Sequence, residues 1–194
     1  EHLLEKRAKT PEIMQALRDA LNRRIDRAEA AGIDLIGTNP GPVNIAMGLS
    51  TLEEKSLGAV KKSGSVPIQG LLQQGEAPGG SGVWLMDQPY YSPESLSGFV
   101  AAGAHMILFT TGPGNNFVSL LAPTIKLSAN ADTCANLIEQ IDFDASAILT
   151  GALGFAEATQ MLLARMVDVA SGTLTYGEIL SEGAETISRC GESL

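Results

Sequence analysis

Hydrophobic positions along the chain alternate between helical and strand spacings. An apolar residue recurs at every fourth position from Ile13 to Ile25, which predicts an amphipathic helix. The start signal Thr10-Pro11-Glu12 precedes this apolar face, and Gly32 follows it as the stop. The rest of the chain divides in the same way, since short apolar runs predict strands and capped periodic segments predict helices.

Strands and helices are predicted to alternate along the whole chain. The predicted strands cover residues 33–38, 66–72, 83–86, 105–111 and 124–128, and the further helices cover residues 51–62, 92–102, 130–139, 154–169 and 176–187. The unbroken apolar run Met106–Phe109 predicts a strand buried on both faces. This order predicts an α/β fold of the Rossmann-like kind, a three-layer, mainly parallel sheet with helices on both faces. With 194 residues, we expect a single domain over residues 1–194.

Composition and charge narrow the classes of function. Hydrophobic residues make up 44% of the chain and charged residues 18%, which is typical of a soluble globular protein. The net charge of −9 argues against nucleic acid and anionic membranes as partners. No apolar run is long enough to span a bilayer, and from the charged first residues we expect no signal peptide. Cys134 and Cys190 are too few for a disulfide framework or a zinc cluster, so we expect a cytoplasmic protein.

Two polar loops follow predicted strands, where open parallel sheets bind ligands. The first loop covers residues 38–44 and the second covers residues 110–116. Both are rich in small polar residues and backbone donors that can surround a carboxylate or a phosphate. Residues alone leave two alternatives open, an anion site and a pair of tight turns. A nucleotide site is disfavoured, because Phe117 stands where the G-x-G-x-x-G fingerprint needs glycine.

Two lysines occupy positions that local structure does not explain. Lys55 falls in the first turn of a helix that Thr51 and Glu54 open as a capping box, where a cation opposes the helix dipole. Its alternatives are a bound anion and a partner carboxylate, and composition favours the carboxylate. Lys126 falls in mid-strand, where the commoner alternative is exposure on a sheet edge and the other is burial for a purpose.

Other reactive residue types form no recognisable catalytic pattern. His105 and Cys134 fit structural positions, and the two histidines of the chain are placed so that no Ser–His–Asp or Cys–His arrangement is available. No spacing marks a zinc site. An oxygen-rich site for Mg²⁺, Mn²⁺ or Fe²⁺ leaves no spacing fingerprint and stays open.

Five segments in order resemble motifs of the altronate/D-galactarate dehydratase family. The first, Asn44–Gly58, reads NIAMGLSTLEEKSLG and is similar to the family's GNxxGGLTTLEEKSLG. Residues 70–76, 109–114, 123–130 and 141–145 resemble the family's GVLxYGE, FTTGRG, PxIKIxTN and IDFNAG. The similarity runs from about residue 34 to residue 151 and more loosely to the end. Three departures stand out: Pro113 replaces the Arg of TGRG, Val43 replaces a Gly, and Met47 replaces the first Gly of a GG pair.

The resemblance implies a metal-assisted carbon–oxygen lyase. Family enzymes dehydrate sugar acids to 2-keto-3-deoxy products with a divalent metal, typically Fe²⁺ (with Mg²⁺ and Mn²⁺ as alternatives). A related branch acts on sulfolactate as a sulfo-lyase. Family enzymes are longer, so the resemblance implies the C-terminal portion of a homo-oligomeric enzyme. Its partners would be the N-terminal domains of the same protein and a small hydroxy acid.

The matched motifs also indicate candidate site residues. Lys55 and Lys126 are the candidate catalytic residues, as base and anion clamp in an unassigned order. The candidate substrate-binding residues are Asn39, Asn44, Glu54, Thr110, Thr111, Gly112, Gly114, Asn115 and Asn130. The alternative is a non-catalytic structural half, inactive by itself, whose apolar terminal helices over residues 155–169 and 179–187 form a subunit interface.

Overall fold

The computed structural model describes residues 2–33, 40–46, 48–89 and 91–186. These residues form two compact units, the first ending at Gln88 and the second beginning at Pro89. Each unit contains helices and parallel strands, which confirms the α/β class. The expectation of a single domain over residues 1–194 stays a prediction.

The first unit places two parallel strands against a long helix. Its elements are α1 (His2–Glu5), α2 (Pro11–Ala30), α3 (Pro42–Ala46), α4 (Leu52–Lys62), β1 (Ile68–Gln73) and β2 (Val83–Asp87). Strand β1 pairs with β2, and α2 packs on β1. The predicted start of α2 is confirmed, because the Thr10 side chain accepts a hydrogen bond from the amide of Ile13.

A buried seam and an ion-pair cluster hold the first unit together. Leu17 of α2 and Ile68 of β1 are both buried. Arg23 and Arg24 of α2 both form ion pairs with Asp87 at the end of β2, at 3.2 Å and 3.0 Å. Asp87, one of the acids nearest a strand end, is therefore engaged in joining helix to sheet.

The second unit contains a three-stranded parallel sheet. Its elements are α5 (Ser92–Ala101), β3 (Ile107–Thr110), β4 (Thr124–Ser128), α6 (Ala131–Asn136), β5 (Phe143–Asp144), α7 (Ser146–Leu149), α8 (Phe155–Ala170) and α9 (Tyr176–Ile179). The strand order is β3-β4-β5, so β4 lies in the centre. Leu96, Ile107 and Ala122 form a buried cluster that joins α5 to this sheet.

Parallel pairing is confirmed in both units. Among the described residues the strands form one sheet of two strands and one of three. The predicted strand over residues 33–38 lies almost entirely outside the described residues. The polar loop predicted over residues 38–44 becomes helical at Pro42, which begins the short helix α3 because proline is well suited to a first helical position.

Three further expectations are wrong in detail. The strand β3 is not buried on both faces, since Leu108 is 43% exposed. Helix α6 ends at Asn136 instead of residue 139. Helix α9 ends at Ile179 because Ser181 and Gly183 adopt positive φ angles of 53° and 128°, which a helix cannot contain. Within the described ranges, none of the helices combines the length and the apolar character needed to cross a membrane.

Candidate functional site

In the first unit, Lys55 contacts Asn44. Lys55 lies in the first turn of α4 and Asn44 lies in α3, and both side chains are half-buried. The Lys55 Nζ donates a hydrogen bond to Asn44 Oδ1 at 3.0 Å. The same Oδ1 accepts the amide of Gly41 at 3.3 Å. Two candidate residues that are separated in sequence therefore form one polar pair.

The Glu54 side chain caps its own helix, but it binds Ser50 and not the Thr51 amide that the capping box predicts. Thr51 Oγ1 accepts the Glu54 amide at 3.1 Å, as the capping box requires. The Glu54 carboxylate, however, accepts the Ser50 amide at 2.9 Å and the Ser50 hydroxyl at 2.7 Å, not the amide of Thr51. Hydrogen bonds from the Ser50 backbone and then its side chain lower the pKa of Glu54. The described contacts of Glu54 are thus those of a helix cap.

In the second unit, the loop after β3 folds back on itself. The Thr111 amide donates to the carbonyl of Leu127 at 3.0 Å, which ties the loop to β4. The Thr111 hydroxyl accepts the amide of Gly114 at 3.1 Å. Gly114 has a φ of 97°, and a Cβ at this position would collide with the Leu137 side chain. Only glycine adopts this turn without strain.

The neighbouring candidate side chains also have partners within the chain. Asn115 Oδ1 accepts the amide of Phe117 at 2.8 Å, and Asn130 Oδ1 caps α6 by accepting the amide of Thr133 at 3.1 Å. The Thr133 hydroxyl donates to the carbonyl of Gly112 at 2.7 Å. The structure therefore brings Gly112 and Asn130 to the same strand ends through Thr133. The hydrogen bonds of Asn115, Asn130 and Gly112 are thus those of tight turns, the alternative to an anion site.

Lys126 is buried in the central strand. Its side chain is 0% exposed, so the expectation of an exposed edge lysine is wrong and the alternative of burial is confirmed. Thr124 and Ser128, which share its face of β4, are buried too. The Lys126 Nζ donates to Glu182 Oε2 at 3.1 Å. A buried ammonium needs such a partner, because an unpaired charge in the interior is strongly destabilising.

Asp142 organises this region and was not singled out in the sequence. Its fully buried carboxylate accepts the amide of Lys126 at 2.9 Å, the amide of Tyr176 at 2.9 Å and Arg165 Nη2 at 3.2 Å. Strand β4, helix α8 and the start of α9 therefore meet at one group. The only available signal was its place in the fifth matched motif.

Glu185 is a second carboxylate that sequence reasoning missed. It accepts hydrogen bonds from the hydroxyls of Ser119 and Ser97, the latter at 2.7 Å, and from the amide of Leu120 at 2.9 Å. Burial raises the pKa of Glu185, but the hydrogen bonds from Ser119, Ser97, Leu120 and Leu121 outweigh it and lower the pKa overall. Glu185 is thus held as an anion in the fold.

Cys134 lies in the core, as expected. It is 7% exposed, and burial followed by the nearby Asp144 carboxylate raises the pKa of its thiol to about 11. A thiol in this state is a poor nucleophile and a poor metal ligand near neutral pH. Cys134 therefore has a structural role.

The described residues do not supply an evident metal centre. Within the described ranges, no three or more His, Cys, Asp or Glu residues converge closely enough to hold an ion. The expected divalent metal stays a prediction. Asn39 lies outside the described residues. Lys55, Asn44 and Glu54 belong to the first unit, and the second unit carries Lys126, Thr110, Thr111, Gly112, Gly114, Asn115 and Asn130.

Comparison with known proteins agrees with the motif resemblance. Residues 1–192 match the family described as D-galactarate/Altronate dehydratase, C-terminal. The chain is 34% identical over 197 residues to the (2R)-sulfolactate sulfo-lyase subunit beta of Chromohalobacter salexigens, covering 100% of this chain and 50% of that protein. It is 34% identical over 140 residues to the altronate dehydratase of Escherichia coli, covering 72% of this chain and 28% of that protein.

A further relative acts on another sugar acid by name. The galactarate dehydratase (L-threo-forming) of Escherichia coli is 29% identical over 171 residues, covering 88% of this chain and 32% of that protein. The chain thus spans between about a quarter and a half of the length of these relatives. On the match over nearly its whole length, the chain belongs to the D-galactarate/altronate dehydratase family and corresponds to that family's C-terminal region.

Proposed function

We propose that this chain is the C-terminal part of a lyase that removes water from a sugar acid or a related hydroxy acid. The product is a 2-keto-3-deoxy acid. A sulfo-lyase that releases sulfite is the nearest variant of this proposal, because one relative is named for that reaction. The partners proposed with it are the N-terminal domains of the same protein, a second copy of the protein and the small hydroxy acid.

The contact between Lys55 and Asn44 carries the proposal. Lys55 Nζ and Asn44 Oδ1 lie 3.0 Å apart at the first turn of α4, and both side chains are only half-buried. A cation beside an amide can bind a carboxylate oxygen and a neighbouring hydroxyl of the substrate together. A bound substrate carboxylate would also favour a lysine in the first turn of α4, where the helix dipole by itself disfavours a cation.

The elimination requires a base and a group that assists the leaving oxygen. The proton on the carbon next to the carboxylate is removed, and the hydroxyl on the following carbon leaves with a proton as water. The resulting enol then tautomerises to the 2-keto acid. Each unit offers one lysine for these roles. In the first unit, Lys55 is the candidate to neutralise the negative charge that develops on the carboxylate side. In the second unit, Lys126, withdrawn from water in β4, is the candidate to move a proton.

The loops proposed to orient the substrate carry neutral hydrogen-bonding groups. Thr110 is the last residue of β3, Thr111 directly follows it, and Asn115 lies three residues after Gly112. Hydroxyls and amides of this kind recognise sugar hydroxyls without adding charge. Pro113 lies in this loop where the family motif carries an arginine, so the acid that this chain binds is identified by the panel of sugar acids and simpler hydroxy acids in the test.

The test uses the full-length protein that contains this chain. It is incubated anaerobically with Fe²⁺ and, separately, with altronate, galactarate, sulfolactate or simpler hydroxy acids. A 2-keto acid from at least one of them is expected, and sulfite is measured alongside to distinguish the sulfo-lyase variant. Failure to form product from any acid contradicts the proposal.

A second candidate function, a structural half that mediates subunit association, is favoured by helix α8. Most of this helix is exposed, and its exposed apolar side chains are Phe155, Met161, Leu163 and Val167. Leu163 and Val167 are four residues apart and share one face. The double change Leu163→Asp and Val167→Asp should reduce the mass measured by light scattering, whereas Glu157→Gln on the same helix should not. An unchanged mass contradicts this candidate.

A further inference from the structure

The segment over residues 181–186, which we call the clasp, reaches two separate parts of the second unit through two carboxylates. Glu182 Oε2 accepts from Lys126 Nζ at 3.1 Å, and Glu182 Oε1 accepts from Gln140 Nε2 at 3.5 Å. Glu185 binds Ser97 of α5 and Ser119 of the loop before β4. Two neighbouring acids thus hold different groups, and of these two described residues Glu182 is the one that contacts Lys126.

The backbone of the clasp turns Glu182 inward. Ser181 and Gly183 have φ angles of 53° and 128°, so the chain reverses on both sides of Glu182. The Glu182 amide donates to the carbonyl of Gly177 at 2.9 Å. A Cβ on Gly183 would lie 3.0 Å from Leu120 Cδ2 and 3.1 Å from the Val118 carbonyl oxygen, which leaves little room for a side chain. The path of the clasp is therefore tightly set.

Lys126 is fixed at its backbone and at its ammonium by different residues. Asp142 exchanges two hydrogen bonds with its backbone, and Arg165 of α8 balances the Asp142 charge. Among the described residues, Glu182 is the carboxylate within ion-pair distance of the Lys126 Nζ. The lysine side chain has four rotatable carbon–carbon bonds, so its nitrogen is placed only when both ends are held.

We infer that Glu182 is a positioning residue that holds the Lys126 amine in place for the lyase reaction. The inference rests on the proposed function, in which Lys126 acts at the reacting atoms. Removing the Glu182 charge while keeping its size turns the ion pair into a weaker neutral hydrogen bond and loosens the nitrogen without emptying the site. Misplacement of a reacting group by about 1 Å lowers the rate by up to about 100-fold, so the loss falls on kcat.

The experiment compares three variants of the full-length protein with whichever acid the wild-type protein converts. Glu182→Gln removes the charge that faces Lys126, and Glu182→Asp keeps the charge with a shorter reach. Glu185→Gln is the matched control, because Glu185 lies three residues away in the same clasp and, among the described residues, binds serines and backbone amides instead of Lys126. For each variant, kcat and KM are measured per folded molecule, with the folded fraction taken from near-ultraviolet circular dichroism.

The expected pattern separates positioning from folding. Glu182→Gln should lower kcat at least about tenfold with KM within about threefold, and Glu182→Asp should recover part of kcat. Glu185→Gln should lower the unfolding temperature but leave kcat within about twofold. Equal losses of kcat in Glu182→Gln and Glu185→Gln, or wild-type kcat in Glu182→Gln, overturn the inference.

The remaining outcomes also decide whether the positioning role or the proposed function itself fails. If Glu182→Gln does not fold, a wild-type kcat in Glu182→Asp overturns the positioning role, and a reduced kcat supports it. A wild-type protein that converts none of the acids overturns the proposed function itself, and the positioning role with it. An active wild-type protein with an unaffected Glu182→Gln variant overturns the positioning role alone.

Discussion

Asp142 holds the backbone of Lys126 through both of its own polar ends. The Asp142 amide donates to the Lys126 carbonyl at 2.9 Å, and the Asp142 carboxylate accepts the Lys126 amide at 2.9 Å. The register of β4 beside the strand that follows is thereby fixed at Lys126, the charged residue of β4. The same carboxylate also anchors Arg165 and the Tyr176 amide.

Asp142→Ala should strongly destabilise the second unit. The change removes the acceptor of two backbone amides and the carboxylate with which Arg165 forms an ion pair. Removing a buried charged partner of this kind costs about 3 kcal/mol or more in the free energy of unfolding. Denaturant unfolding measures the loss. Glu139→Ala, an exposed acid three residues earlier, should change the free energy of unfolding by less than about 0.5 kcal/mol. Similar losses in the two variants contradict the role of Asp142.

Gly114→Ala should destabilise the loop after β3, whereas Gly112→Ala should be tolerated. Gly114 has a φ of 97° and its Cβ would collide with Leu137, while a Cβ on Gly112 meets nothing within 4 Å. The expected loss at Gly114 is about 1–3 kcal/mol in the free energy of unfolding. Equal stability of the two alanine variants would show that the turn relaxes freely.

Lys55→Met should lower kcat/KM about 100-fold in the full-length protein, because it removes a charge-assisted donor from the site proposed to bind the acid. Lys62→Met provides the control, since Lys62 is an exposed lysine at the other end of the same helix. The control should stay within about twofold of wild type. Steady-state kinetics with the converted acid measure kcat/KM for both variants. A Lys55→Met variant as active as Lys62→Met would exclude a substrate-binding role for Lys55.

Glu185 should contribute to the acid sensitivity of the fold. Its pKa in the folded protein is lower than its ordinary value of 4.5, so it stabilises the folded state above that value. This stabilisation is lost as the pH falls through the lowered pKa. The unfolding temperature of wild type should therefore fall more steeply than that of Glu185→Gln below about pH 5. Parallel curves for the two proteins would contradict this contribution.

Cys134 should resist alkylation in the folded protein. Burial and the nearby Asp144 raise the pKa of its thiol to about 11, so little thiolate exists at pH near 8. Peptide mapping after iodoacetamide treatment should show slow labelling of Cys134 without denaturant and rapid labelling in urea. Rapid labelling in the folded state would mean that the thiol is accessible.

Local signals predicted the elements that are determined locally. Thr10 caps α2 through the amide of Ile13, and the alternating pattern of residues 124–128 matches β4 at both ends. In contrast, α6 ends early because Leu137 leaves helical geometry, with φ −118° and ψ 42°, and packs over Gly114. That contact joins residues distant in sequence, and no periodic pattern reports it.

The candidate site was predictable only where its residues are close together in sequence. Asn44 and Lys55 belong to one continuous motif, and they are in contact. The burial of Lys126 could not be inferred from its own strand, because its ion-pair partner Glu182 lies 56 residues later. Asp142 and Glu185 act through backbone amides and serines, which form no side-chain pattern that spacing would reveal.

The ion pair between Lys126 and Glu182 has a consequence for the order of events during synthesis of the chain. A ribosome releases residues from the N-terminus onward, so the lysine emerges 56 residues before its counter-charge. Before Glu182 has emerged, β4 can enter the protein interior only with the Lys126 ammonium lacking that counter-charge. The cost of burying this charge opposes the closure of the second unit. We therefore expect the nascent second unit to remain open, and accessible to chaperones, until the clasp with Glu182 has been translated.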